Sequence, residues 1–398
     1  MPKLIRFIFV ALLALAAQAQ AQAQVQVQAQ VQAQAQSPAT IRVDYTHSGS
    51  ALDDQYALER VVVEPLPWPG SLAQNFDNTD RGQNRVEVVD AVTGDLLYSR
   101  GFSTIFGEWR TTAEALKMNR AFQESVRFPK PSKPVKVRIL RRDERNQFSV
   151  AWSVEVDTDG PDVVRLQEAA PARPIPIRVN GPSSAKVDLL VMGDGYTAGE
   201  MKKFEADVRR LADHLFTVSP FKERASDFNV WAIAVPTAQS GVSRPSTGVH
   251  RASKLGTRYD IFGSERYVLT LDNRALREIA QHAPYEFIEI LVNNDTYGGG
   301  GIFGQFSTAA AGNDWANYLF VHEFGHHFAG SLCGVGQPHG AVGAERDGAA
   351  RPGNAQVEAK RQARHALAHA LVQGRIRGAL ACLPEAARRP ARGQSPGN

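Results

Sequence analysis

The hydrophobic pattern changes its period once, and the change falls at a proline-rich stretch. From Thr40 to about Val156 apolar residues recur at every second position. Val135, Val137 and Ile139 alternate with Lys136 and Arg138, and after the polar turn Asp143-Glu144-Arg145-Asn146 the residues Phe148, Val150, Trp152, Val154 and Val156 alternate again. Successive side chains of a strand point to opposite faces, so this pair predicts a β-hairpin with one face buried. A second hairpin is expected between residues 86–90 and 96–100, turning at Thr93-Gly94-Asp95. Several such strands with turn signals between them predict a β-sandwich over residues 39–156. Residues 157–178, with Pro161, Pro171, Pro174 and Pro176, read as a linker.

Beyond the linker the pattern is that of alternating strands and helices. Residues 187–192 are apolar except for Asp188, close to what a strand buried on both faces requires, and residues 228–235 and 288–292 read the same way. Thr197-Ala198-Gly199-Glu200 is a capping box, and Phe204, Val208, Leu211 and Leu215 follow at helical spacing. A second domain with a mixed or parallel sheet is therefore expected over residues 179–330. At 398 residues, 43% apolar and 22% charged, the chain is long enough for both cores. Two cysteines exclude a disulfide-built miniprotein.

The net charge of +4 would suggest a nucleic-acid partner if it were spread over the folded part. It is not. Residues 331–398 carry nine Arg and one Lys against four acidic residues, a surplus of +6 that leaves residues 1–330 at −2, and no nucleic-acid partner is expected. At the other end, Lys3 and Arg6 precede the apolar residues 7–17, and Ala17-Gln18-Ala19 offers a small-residue cleavage site. This is the pattern of a secretory signal peptide, placed at residues 1–23, and the run is short for the alternative, an uncleaved membrane anchor. Residues 24–38 repeat Ala-Gln and Val-Gln and read as a low-complexity spacer. The mature protein is expected to be secreted or periplasmic, with no membrane attachment after cleavage.

The chemistry is concentrated at Val321-His322-Glu323-Phe324-Gly325-His326, an HExxH motif. On a helix, His322 and His326 stand one turn apart, so both imidazoles can reach one Zn²⁺ while Glu323 takes a proton from water. Asn313 or Asp314 can cap that helix, with Trp315, Leu319, His322 and His326 following on one face, and His327 points away, about 100° around the axis. Just upstream runs Tyr297-Gly298-Gly299-Gly300-Gly301-Ile302. Gly299, Gly300, Gly301 and Ile302 read either as an edge strand that pairs with an extended peptide substrate or as a flexible loop followed by an ordinary edge strand.

With these motifs in view, the second domain resembles the immunoglobulin A peptidase family of zinc metallopeptidases. The resemblance rests on Val187-Asp188-Leu189-Leu190, Gly193-Asp194-Gly195-Tyr196-Thr197, Pro220-Phe221, Phe228-Asn229-Val230, Tyr297-Gly298-Gly299 and the stretch from His322 to Gly330. The first domain resembles that family's N-terminal β domain through Tyr98-Ser99-Arg100-Gly101-Phe102, Phe106-Gly107-Glu108-Trp109 and Glu124-Ser125-Val126-Arg127-Phe128-Pro129. The resemblance covers roughly residues 40–330. It implies an α+β two-domain chain, a β-sandwich followed by an α/β zincin-like (metzincin-type) catalytic domain. It further implies a zinc endopeptidase acting on protein or peptide, with His322 and His326 as ligands and Glu323 as catalytic base.

The resemblance stops at Gly330, so the catalytic domain is incomplete at its C-terminus. The family continues with a Leu-x-Asp-Glu-Tyr stretch in which the third ligand is expected, whereas this chain reads Ser331-Leu332-Cys333-Gly334-Val335-Gly336. No Phe, Trp or Tyr lies beyond Phe328 and no Met beyond Met201, so the family's Met-turn and a transition-state Tyr have no counterpart. Ala, Arg, Gly and Pro make up 39 of the 68 residues of 331–398, which out-of-frame reading of a GC-rich gene would produce, and an aberrant or disordered tail is expected there. Cys333, His339, Glu345 and Asp347 are candidate replacement ligands, and Cys333 could instead pair with Cys382. Two functions follow: a zinc endopeptidase, inactive as given if the third ligand is missing, or a non-catalytic secreted binding protein that uses its β domain for partner contact.

Overall fold

The computed structural model describes residues 37–165 and 169–330. The expected signal peptide, the spacer up to residue 36, and the tail with Cys333, His339, Glu345, Asp347 and Cys382 lie outside the described residues. In chain order the first half contains β1 (Ala39–Gly49), β2 (Asp54–Pro67), β3 (Asn84–Asp90), β4 (Leu96–Phe102), the short helix α1 (Ile105–Trp109), β5 (Arg120–Pro129), β6 (Val135–Arg142), β7 (Phe148–Val156) and β8 (Val164–Arg165). They form two four-stranded sheets, ordered β5-β1-β2-β8 and β4-β3-β6-β7. Ile41, Val43 and Val126 of one sheet share a core with Val86, Val88, Val137 and Ile139 of the other, which is the β-sandwich read from the period-two pattern.

Both hairpins form, β3 with β4 and β6 with β7. One detail departs from the pattern. Ile139 pairs with Trp152 but Leu140 with Val150, so Ala151 is an extra residue, a β-bulge. A one-residue slip turns the following side chains to the other face, and Val150 is accordingly 52% exposed while Val156 is buried.

The second half contains β9 (Ile175–Arg178), β10 (Val187–Asp194), α2 (Met201–Leu215), β11 (Phe228–Ala234), α3 (Asn273–Ala280), β12 (Phe287–Val292), β13 (Gly299–Ile302), β14 (Phe306–Ala310) and α4 (Ala316–Ala329). Its sheet is ordered β13-β14-β12-β10-β11-β9, parallel in the middle and antiparallel at both edges. β10 sits in the middle and is buried along its whole length, because its alternate residues enter two different cores. Val187, Leu189 and Val191 pack with α2 and α4, while Leu190 and Met192 pack on the opposite face. Asp188 is tolerated there because its Oδ1 accepts hydrogen bonds from Asn229 Nδ2 at 2.9 Å and Trp231 Nε1 at 3.0 Å. The capping box at Thr197 and Glu200 is present and leads into α2 through a short 3₁₀ turn.

The two halves are less separate than the proline-rich stretch suggested. Ile105, Phe106, Trp109 and Phe122 of the first half complete the core on the Leu190 face of the second-half sheet. Polar bonds reinforce this contact: Arg60 Nη2 donates to Glu278 Oε1 at 2.9 Å, and Arg127 Nη1 to the Tyr285 carbonyl at 3.1 Å. Residues 157–178 are not a free tether either. β8 pairs with β2, Val163 packs into the sandwich core, and β9 pairs with β11. A segment without apolar periodicity can still be held by a sheet edge at each end. An elastase-type protease should therefore cut at the exposed Ala169 and Ala170, yet the nicked chain should elute as one species on gel filtration. Two separate peaks would contradict the shared core.

Candidate metal centre

α4 carries the HExxH motif and packs against β12, β13 and β14. Phe320, Phe324 and Phe328 anchor it in the core that also holds Phe204 and Leu211 of α2. Its start differs from the expected cap. The N-cap position is Trp315, 42% exposed and off the buried stripe, and Asn313 acts one step earlier, its Oδ1 accepting from the Trp315 N–H at 2.8 Å. At the other end Gly330 adopts the left-handed conformation, φ 65°, and its N–H donates to the His326 carbonyl at 3.0 Å. The sandwich half holds this end as well, since Arg81 Nη1 donates to the Ala329 carbonyl at 3.0 Å.

His322 Nε2 and His326 Nε2 converge to 3.1 Å. Two nitrogens on one tetrahedral zinc, each about 2.0–2.1 Å from it, lie about 3.3 Å apart, so the pair suits that metal with little movement. The other ring nitrogen of His322, Nδ1, lies 3.2 Å from the Tyr318 hydroxyl one turn earlier, which fixes the ring and leaves Nε2 to face the site. Tyr318 was not singled out from sequence, although its i−4 spacing from His322 is a readable signal. Glu323 joins the two histidines: the ligand atoms of all three lie within 4.8 Å of one another, the one such group of three or more among the described residues. Burial pushes the Glu323 carboxyl up to about 8. Burial, then the neighbouring His326, pushes His322 down to about 4, so its imidazole is neutral at pH 7, the form that binds metal.

The glycines upstream have a packing role that accounts for two of them. A Cβ on Gly301 would lie 2.6 Å from the Glu323 carbonyl oxygen and 2.8 Å from His326 Cβ, and one on Gly299 would lie 3.0 Å from Glu323 Cγ. β13 is the sheet edge, as expected, but Gly299 is not open to a peptide. Its N–H donates to the Arg266 carbonyl and its own carbonyl accepts from the Val268 N–H, both at 3.1 Å. The Ile302 carbonyl likewise faces His327 Nδ1 at 3.2 Å. The peptide-pairing alternative leaves this edge open because nothing in the sequence links it to residues 266–268.

Glu289 on β12 also escaped the sequence reading, although a carboxylate inside the run Phe287-Ile288-Glu289-Ile290-Leu291 is conspicuous. It is fully buried and receives a hydrogen bond from Ser307 Oγ, and its pKa lies well above the ordinary carboxylate range, chiefly through burial.

Residues 175–333 match the family model described as IgA Peptidase M64, and residues 33–153 match the one described as Peptidase M64 N-terminus. The chain belongs to the IgA peptidase M64 family. No curated protein matches it. Membership makes this M64 chain a metallopeptidase by family, with protein as its substrate class, and His322, Glu323 and His326 form a group able to hold the metal. The M64 match ends at Cys333, close to Gly330, where the resemblance read in the sequence stops.

In this M64 chain His327 is structural. It is fully buried, accepts the Ile288 N–H at Nε2 over 3.1 Å, and is pushed down to about 3, first by burial. A histidine near 6.5 unfolded and near 3 folded binds fewer protons in the native state between those values. Its stabilising contribution is complete above pH 6.5 and is lost as pH falls toward 3. The expected loss is about 1.4 kcal/mol per pH unit below the unfolded value. Urea midpoints at about pH 7.5 and about pH 5 should differ less in His327→Phe than in the parent; an equal difference would remove His327 as the cause.

Proposed function

We propose that the chain is an exported zinc-dependent endopeptidase with His322 and His326 as metal ligands and Glu323 as general base. The observation that carries this reading is the 3.1 Å convergence of the two Nε2 atoms beside the Glu323 carboxylate. Zinc, when bound, supplies Lewis-acid stabilisation of charge on the scissile carbonyl oxygen and acidifies water toward neutral pH. Glu323 takes a proton from the attacking water, the water oxygen bonds to the carbonyl carbon, and the C–N bond breaks as Glu323 delivers that proton to the leaving nitrogen. The antiparallel edge strand β13 beside α4 supports a zincin-like, metzincin-type arrangement. Lys3, Arg6 and the apolar residues 7–17 support export.

A second reading, a non-catalytic secreted binding protein, has one observation in its favour: among the described residues no third ligand joins His322 and His326 beyond Glu323 itself. Casein separates the two. Chelator-sensitive hydrolysis by the full chain, restored by zinc and lost in Glu323→Gln, supports the peptidase. Zinc that is stripped by dialysis, with no hydrolysis by the parent chain, supports the binding protein.

A further inference from the structure

A cleft of about 100 Å³ opens where the sandwich meets the second-half sheet. Arg100, Ser125 and Arg127 line it from the sandwich, and Arg277, Tyr285 and Gln305 from the other half. Three guanidiniums thus face it, against one lining carboxylate, Glu286. Arg127 is already neutralised, since its Nη2 and Nε donate to Glu64 Oε2 at 2.7 and 3.0 Å. Arg277 is not. It is 5% exposed, yet it donates only to neutral oxygens: Ser125 Oγ at 2.9 Å, Gln305 Oε1 at 2.8 Å and the Tyr285 hydroxyl at 3.5 Å. Among the described residues no carboxylate lies within 4.0 Å of its nitrogens, and Glu64, paired with Arg127, feels its charge only from farther away. Arg100 donates to the Tyr98 hydroxyl at 3.5 Å, and the carboxylates of Asp77 and Glu286 act on its charge from beyond ion-pair distance.

A buried guanidinium held only by neutral groups is costly, and an anion within reach offsets that cost. The planar fork of arginine matches the paired oxygens of a carboxylate or phosphate. A dry cavity of about 150 Å³ is known to hold benzene, so this smaller cleft suits a single ion-sized group. We propose that the cleft binds one small oxyanion, a carboxylate or a phosphate, held between Arg277 of the second half and Arg100 of the sandwich. None of the residues lining this cleft belongs to the metal centre.

Thermal unfolding of the full chain tests the proposal, with sodium phosphate or sodium acetate titrated at constant ionic strength set by chloride. The melting temperature should rise saturably with at least one of the two anions and stay flat in chloride alone. A response to phosphate only assigns a tetrahedral oxyanion, and one to acetate only assigns a carboxylate. Arg277→Gln and Arg100→Gln should each weaken the apparent affinity at least about tenfold, whereas Arg209→Gln, on the exposed face of α2, should leave it unchanged. Because Arg277 also bridges Ser125 and Gln305, Arg100→Gln decides the matter if Arg277→Gln does not fold. No saturable rise with either anion overturns the proposal, as does a rise undiminished in either folded variant.

Discussion

In Glu323→Gln, casein hydrolysis by the full chain falls at least about a hundredfold while zinc stays bound. The amide keeps the length and shape of the side chain, so the packing of Glu323 over Gly299 survives and only the proton acceptor is lost. His322→Ala and His326→Ala act differently. Each removes one of two imidazoles whose Nε2 atoms meet at 3.1 Å, and a site left with one histidine should release its metal along with any activity. The split between the two kinds of variant is the informative result. Activity and zinc lost together in Glu323→Gln would make Glu323 a ligand rather than a base.

Gly301→Ala should disturb the site without replacing any of its side chains. The added Cβ would meet the Glu323 carbonyl oxygen at 2.6 Å, and backbone cannot rotate aside as a long side chain can, so α4 must shift away from β13. A destabilisation of about 1–3 kcal/mol is expected, with weaker zinc binding because His326 Cβ lies 2.8 Å from the same added atom. Gly325→Ala is the contrasting case. It lies between Glu323 and His326 on the same helix, but nothing stands within 4 Å of its added Cβ. There the gain in helix propensity, about 0.5–1 kcal/mol, should dominate and zinc binding should persist. Urea denaturation and zinc titration of the pair check both signs; a harmless Gly301→Ala would show that α4 and β13 have room to part.

What the sequence disclosed is what local spacing encodes. Val135, Val137 and Ile139 announce a strand by their period, Thr197 and Glu200 announce a helix start, and His322 and His326 announce a metal site by lying one turn apart. What it concealed depends on residues distant along the chain. The bulge at Ala151 leaves no mark on the alternation, and Val150 is turned outward in spite of it. The pairing of Gly299 with Arg266 and Val268 brings an irregular segment to a sheet edge, and irregular segments carry no period. The shared core of Phe106 and Phe122 with Leu190 and Ile290 is likewise invisible, because each residue reads as the interior of its own half. Arg277 illustrates the same limit for polar groups: on α3 it looks like a solvent-facing cation, and only the packed sandwich makes it buried.

The proposed peptidase activity requires that His322 and His326 hold zinc. Equilibrium dialysis of the full chain against zinc, with the bound metal measured directly, tests it without reference to any substrate. About one zinc per parent chain is expected, retained in Glu323→Gln and lost in both His322→Ala and His326→Ala. Equal zinc in the parent and in the two histidine variants would contradict it, and so would a parent chain that binds none.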